Sequence, residues 1–103
     1  MNSRNKGKRG ELEWAKQIIA AGYEARRGQQ FSGNPDSPDV VTNLPYHFEV
    51  KRVERLNIEN AMKQAKAECG DKPPVVAHRK NGEPWMVTML APDFFNLIKN
   101  NAN

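Results

Sequence analysis

The chain is 103 residues long with a formal net charge of +4, enough for one domain with a single core that leaves roughly a third of the unfolded surface in water. No apolar run approaches the ~20 residues of a membrane span, and no hydrophobic signal segment follows the basic start, so a cytoplasmic protein is expected. The one cysteine, Cys69, excludes an internal disulfide and is too few for a thiolate zinc site.

The charge is unevenly placed. Arg4, Lys6, Lys8 and Arg9 fall within the first ten residues, which hold no acid, and from residue 11 onward basic and acidic side chains cancel. A basic arm (about residues 1–8) on an otherwise neutral domain favours a polyanion such as nucleic acid.

In chain order, the first helix is predicted from about Lys8 to Ala21 and closed by Gly22, with Leu12, Trp14, Ala15, Ile18 and Ile19 as its apolar side. Tyr23 to Arg27 reads as a short strand, and residues 28–38 as a polar loop punctuated by Gly and Pro. Asp39–Thr42 and Tyr46–Val53 then read as two strands around an Asn-Leu-Pro turn. A second helix, about Ile58–Glu68, has Asn57 as N-cap, Gly70 as stop and Ile58, Ala61, Met62, Ala65 and Cys69 on its inner side. Val75–Arg79 and Trp85–Leu90 flank an Asn81-Gly82 hairpin turn, and a last helix, roughly Pro92–Lys99, is expected to pack through Phe94, Phe95, Leu97 and Ile98. The order αβββαββα predicts an α/β fold, a small mixed sheet flanked by helices.

The densest chemistry lies in residues 38–51, Pro-Asp-Val-Val-Thr-Asn-Leu-Pro-Tyr-His-Phe-Glu-Val-Lys. Strand side chains alternate, so His47, Glu49, Lys51 and Val53 share one side, while Tyr46, Phe48 and Val50 face the core. A turn centred near Leu44 sets Asp39 roughly opposite Glu49, and directly paired strand positions hold Cβ atoms about 4.5 to 5.5 Å apart. Two carboxylates that close repel unless a cation lies between them or one takes up a proton. Acidic oxygens suit a hard divalent ion such as Mg²⁺, and Lys51 beside them can act on a metal-bound water or steady the charge developing on a phosphate. Glu-x-Lys alone would mean only an exposed strand face with a weak ion pair; joined to Asp39 and the hairpin register it reads as a metal-dependent nuclease.

Glu11 sits at helical spacing with Trp14, Ala15 and Ile18, on or beside the buried stripe, whereas Glu13 aligns with Lys16 and Gln17 on the wet side. A carboxylate on the core side needs a partner, which either a metal site or a salt bridge to Lys8 or Arg26 would supply. Arg26 and Arg27 can grip phosphates on either side of a scissile bond. Ser32, Gly33 and Asn34 at the loop tip can donate hydrogen bonds to the DNA backbone, and Gln64 can point at the site from the second helix. His47 and His78 lack zinc-ligand spacing, although His47 shares the Glu49 face. Trp85, Met86 and Met89 are expected in the core or at a subunit contact.

These residues resemble the PD-(D/E)xK nuclease superfamily and, within it, the archaeal-type and phage Holliday junction resolvases. Lys6-Gly7-x-x-x-Glu11, Gly22-Tyr23, Arg27, Ser32-Gly33, Pro38-Asp39-Val40-Val41 and Phe48-Glu49-Val50-Lys51 carry the resemblance over the first half of the chain; the second half matches by element order. The resemblance implies a restriction-endonuclease-like core in a phage or prokaryotic host cell. It implies that Glu11, Asp39 and Glu49 bind or support Mg²⁺ (with Mn²⁺ able to substitute), that the Val50 carbonyl is a further ligand, and that Lys51 is the catalytic lysine. Ser32 would help position the DNA backbone, with Arg4, Lys6, Lys8, Arg9, Arg26, Arg27 and Gln64 as further DNA contacts. A homodimer that sets two sites across a four-way junction and makes paired nicks is expected. The chain departs from that family in being short, in the loop extension Asn34-Pro35-Asp36-Ser37, and in showing no long apolar surface assignable to a dimer contact. The alternatives are a nicking or repair nuclease acting on linear or damaged duplex, and a non-catalytic DNA-binding module.

Overall fold

The computed structural model describes residues 3–28 and 39–101, with side chains from Gly7 onward. Its elements are α1 (Ser3–Ala20), β1 (Ala25–Arg27), β2 (Val40–Thr42), β3 (His47–Arg52), α2 (Ile58–Glu68), β4 (Pro74–Arg79), β5 (Met86–Met89) and α3 (Ala91–Asn100). Among the described residues this is a small α/β fold with three helices and a mixed sheet. β3 runs parallel to β4, β5 runs antiparallel to β4, and the strand order is β3-β4-β5; β1 and β2 form a separate antiparallel pair. Two parallel neighbours require a long crossover, and α2 supplies it. No helix among the described residues is long and apolar enough to cross a membrane.

The central strands are covered on both faces, which is why Val75, Val76 and Ala77 form a continuous apolar run. On one face Ala15 and Ile18 of α1 pack with Phe48, Val50, Val75, Ala77 and Val40. Trp14 closes this layer, its ring 5.4 Å from Phe48 and 5.3 Å from Trp85. On the other face Ala61 and Ala65 of α2 lie on Val76, flanked by Leu56, Ile58 and Met62. Local signals set the boundaries of α2: the Asn57 side chain accepts from the Asn60 N–H at 3.0 Å, and Gly70, at φ +60°, follows the helix end.

Several expectations are corrected. The first helix begins at Ser3, so residues 3–8 of the basic arm are helical. Only Ala15 and Ile18 of its expected apolar side are buried; Leu12 and Ile19 are about half exposed, because the sheet meets a narrow stripe of the helix. Glu13 is not on the wet side. It accepts from Arg52 Nε at 3.2 Å and Arg79 Nη1 at 2.9 Å, tying α1 to β3 and β4. Cys69 is half-buried rather than in the core. Trp85 and Met89 do join the core, while Met86 is exposed.

α3 buries no residue at all: Phe94, Phe95, Leu97 and Ile98 are exposed. It follows the edge strand β5, and an open apolar groove of about 330 Å³ remains between α1, the turn before β3, and β5, lined among others by Trp14, Tyr23, Tyr46, Val87, Met89 and Leu97.

Candidate functional site

Asp39 and Glu49 do come together, by a different route from the expected hairpin. β2 pairs with β1, because Thr42 Oγ1 donates to the Glu24 carbonyl at 2.6 Å and Asn43 Oδ1 accepts from the Glu24 N–H at 3.1 Å, fastening the end of β2 to the chain before β1. Asp39 nevertheless reaches the open edge of β3. Its Oδ2 accepts from the Val50 N–H at 3.0 Å, while its own carbonyl accepts from Gly28 at 2.9 Å. The aspartate is thus held at two points, one strand-edge bond away from Glu49.

The Glu49 side chain is 3% exposed. Burial, then the charge of Asp39, with smaller contributions from Glu68 and a hydrogen bond to Asp39, push its carboxyl up to about 8, against the opposing pull of Lys51. Its Oε2 is buried with no hydrogen-bond partner among the described residues. A buried acceptor left in this state is costly. Hard carboxylate oxygens with an orphaned lone pair are the donor chemistry that a divalent cation satisfies. The residues therefore fit Mg²⁺, with Asp39 and Glu49 as the side chains able to hold it.

Glu11 joins the same field from α1. Burial raises its carboxyl, the charge of Asp39 raises it further, and Arg27 opposes both. The counter-ion is neither Lys8 nor Arg26: Arg27 Nε donates to Glu11 Oε1 at 2.9 Å. The expected phosphate grip of Arg27 is therefore partly committed within the protein. The approach of α1 depends on Gly10, where a Cβ would stand 2.7 Å from Arg52 Cβ and 3.6 Å from Val50 Cγ1. Gly7, one of the glycines that carry the resemblance, meets nothing within 4 Å.

Lys51 Nζ lies 3.7 Å from Glu49 Oε1 and donates to Gln64 Oε1 at 3.1 Å. Gln64 thus reaches the site from α2 through its bond to Lys51. One turn further along α2 comes a residue that the sequence reading passed over. Donor atoms of His47, Glu49 and Glu68 all lie within 4.8 Å of one another. Four helical residues advance about 6 Å, close to the two-residue step of a strand, so Gln64 stands over Lys51 and Glu68 over Glu49 and His47. The missed signal was spacing: Glu68 follows Ala61 by seven residues and Ala65 by three, on the stripe that α2 turns toward the sheet.

Of the expected DNA contacts, Lys8, Arg9 and Arg26 are exposed. The side chains of Arg4 and Lys6 lie outside the described residues, as do Pro38 and Ser32 with the whole of residues 29–38. Comparison with protein-family models, curated proteins and solved structures finds no match for this chain.

Proposed function

We propose that this chain is a Mg²⁺-dependent DNA endonuclease with a nuclease core of the PD-(D/E)xK type, acting as a Holliday junction resolvase that makes paired nicks in branched DNA. The observation that supports it most is the Glu49 carboxylate, 3% exposed, with one oxygen unpartnered among the described residues, beside a second carboxylate held to the same strand. Asp39 and Glu49 would hold the ion, with Glu11 completing the acidic set and the Val50 carbonyl as a further ligand. The chemistry that Mg²⁺ supplies at such carboxylates is polarisation of a phosphate and a lowered pKa for a bound water.

The chain's own residues account for the remainder. Lys51, steadied by Gln64, presents an ammonium beside Glu49 that orients the attacking water or balances charge gathering on the phosphate. Arg27 keeps Glu11 in place and partly neutralised. Lys8, Arg9 and Arg26 offer exposed cations to the DNA backbone, with Arg4, Lys6 and Ser32 as further contacts. Paired nicks need two sites. The exposed Phe94, Phe95 and Ile98 of α3 supply the apolar surface that a second copy of the chain would cover.

The test is cleavage of a synthetic four-way junction against matched linear duplex, with and without Mg²⁺, by the wild type and by Asp39→Ala and Glu49→Ala. Symmetric, Mg²⁺-dependent nicks in the junction alone, lost in both variants while DNA binding persists, are expected. Equal cutting of linear duplex would make the protein a general nicking or repair nuclease. Salt-sensitive binding without any cutting would make it a DNA-binding module, and undiminished cutting by either variant would refute the assignment of the site.

A further inference from the structure

The His47–Glu49–Glu68 group differs in chemistry from the acidic set of Asp39, Glu49 and Glu11. It brings an imidazole, which prefers borderline ions such as Zn²⁺ over Mg²⁺, and it comes from two elements, β3 and the last turn of α2. Its three donors lie within 4.8 Å of one another.

A cluster of this kind can form by chance on a surface, but two buried atoms argue otherwise. His47 is 8% exposed and Glu49 3%, and both His47 Nε2 and Glu49 Oε2 are buried without a hydrogen-bond partner among the described residues. Buried polar atoms are nearly always paired; of the three orphans among the described residues, Trp14 Nε1 lies apart in the α1 layer, and the other two stand on neighbouring same-face positions of one strand, beside the Glu68 carboxylate. The His47 N–H of the main chain donates to the Pro73 carbonyl at 3.0 Å, fixing the residue at the head of β3.

We infer that His47, Glu49 and Glu68 form a second cation site, selective for a borderline divalent transition ion of the Zn²⁺ class and sharing Glu49 with the Mg²⁺ set. The inference builds on the reading of Glu49 as a metal ligand, but it concerns binding and not cleavage. An ion held by His47 and Glu68 fixes the Glu49 carboxylate from the α2 side, so the two donor sets are linked through one residue.

The experiment is titration of the ion-free full chain, without DNA, with Zn²⁺ by chelator competition and with Mg²⁺ by calorimetry, for the wild type, Glu68→Gln and His47→Gln. Glu68 is exposed, so its variant keeps the test decisive if His47→Gln fails to fold. Both substitutions are expected to weaken Zn²⁺ binding by at least about tenfold and to change the Mg²⁺ affinity far less. Co²⁺ in place of Zn²⁺ is expected to give a visible absorption band that changes in His47→Gln. Unaltered Zn²⁺ affinity in Glu68→Gln overturns the inference. So does an equal loss of Zn²⁺ and Mg²⁺, which would mean one site only. Because no cleavage is measured, the nuclease reading can fail in the junction assay while the Zn²⁺ result stands, and the reverse.

Discussion

Glu49→Gln should stabilise the ion-free protein at alkaline pH. The carboxyl, ordinarily near 4.5, is pushed up to about 8 by burial first and by Asp39 second. Between those values the folded chain keeps the Glu49 proton and the unfolded chain has lost it. Unfolding then releases a proton, so stability falls as pH rises, by about 1.4 kcal/mol for each pH step from this group alone. The loss between pH 5 and pH 8 is on the order of 4 kcal/mol, a large share of the stability of a small domain. Gln fills nearly the same volume and does not ionise, so the variant should match the wild type near pH 5 and exceed it near pH 8. Glu11, also raised, adds to the slope in both proteins; His47 and His78, both lowered, oppose it below about their ordinary value of 6.5, and the comparison between variant and wild type cancels all three. Urea denaturation in EDTA at pH 5, 6, 7 and 8 measures the difference. Adding Mg²⁺, which binds the ionised carboxylate, should flatten the slope of the wild type and leave that of the variant unaltered. Parallel stability curves for the two proteins across this range would refute the reasoning.

The two glycines of α1 should respond with opposite signs in thermal melts: Gly7→Ala gains about 1 kcal/mol of helix propensity in open space, and Gly10→Ala loses roughly 1 to 3 kcal/mol as its Cβ collides with Arg52. Lys51→Ala is expected to slow junction cleavage at least about 100-fold, with DNA binding little changed in a gel-shift assay; an active variant would remove the lysine from the mechanism. Phe95→Ser with Ile98→Ser should convert a dimer to a monomer in light scattering without lowering helix content, since both side chains are exposed in the single chain; an unchanged mass would place the subunit contact elsewhere.

What was legible in the sequence depended on how local its cause is. The limits of α2 follow from Asn57 and Gly70, and the turn between β4 and β5 follows from Gly82, at φ +77°, because caps and tight turns are decided within a few residues. The meeting of Asp39 and Glu49 was legible too, although its cause was misread: a side-chain bond to the edge of β3 replaces a hairpin ladder. Strand alternation correctly sorted Phe48 and Val50 from Glu49 and Lys51. It could not tell that α2 covers the second face, which is why His47 and Glu49 are buried and Glu68 was overlooked. Glu13, Leu12, Ile19 and the packing of α3 were misjudged for one reason. Amphipathic spacing identifies an apolar stripe, but only tertiary packing decides how much of the stripe finds a partner.

Three partly or fully buried glutamates of the chain, Glu11, Glu13 and Glu49, are compensated in different ways. Glu11 and Glu13 are both partly buried carboxylates, and each receives a guanidinium at 2.9 Å, from Arg27 and Arg79 respectively, with Arg52 adding a second bond to Glu13. Glu49 is more deeply buried than either, yet its cation, Lys51, stands at 3.7 Å and gives its 3.1 Å hydrogen bond to Gln64 instead. The neighbouring charges that act on Glu49 besides Lys51 are the like charges of Asp39 and Glu68. A structural salt bridge would show the pattern of the other two glutamates; Glu49 instead shares a hydrogen bond with Asp39, as two close carboxyls do when one keeps its proton. On the proposed reading, a divalent cation would replace that shared proton and meet the unpartnered Glu49 Oε2. Shape-conserving neutral residues at position 49 would fold at least as well, so a buried acid there is what the proposed ion site calls for.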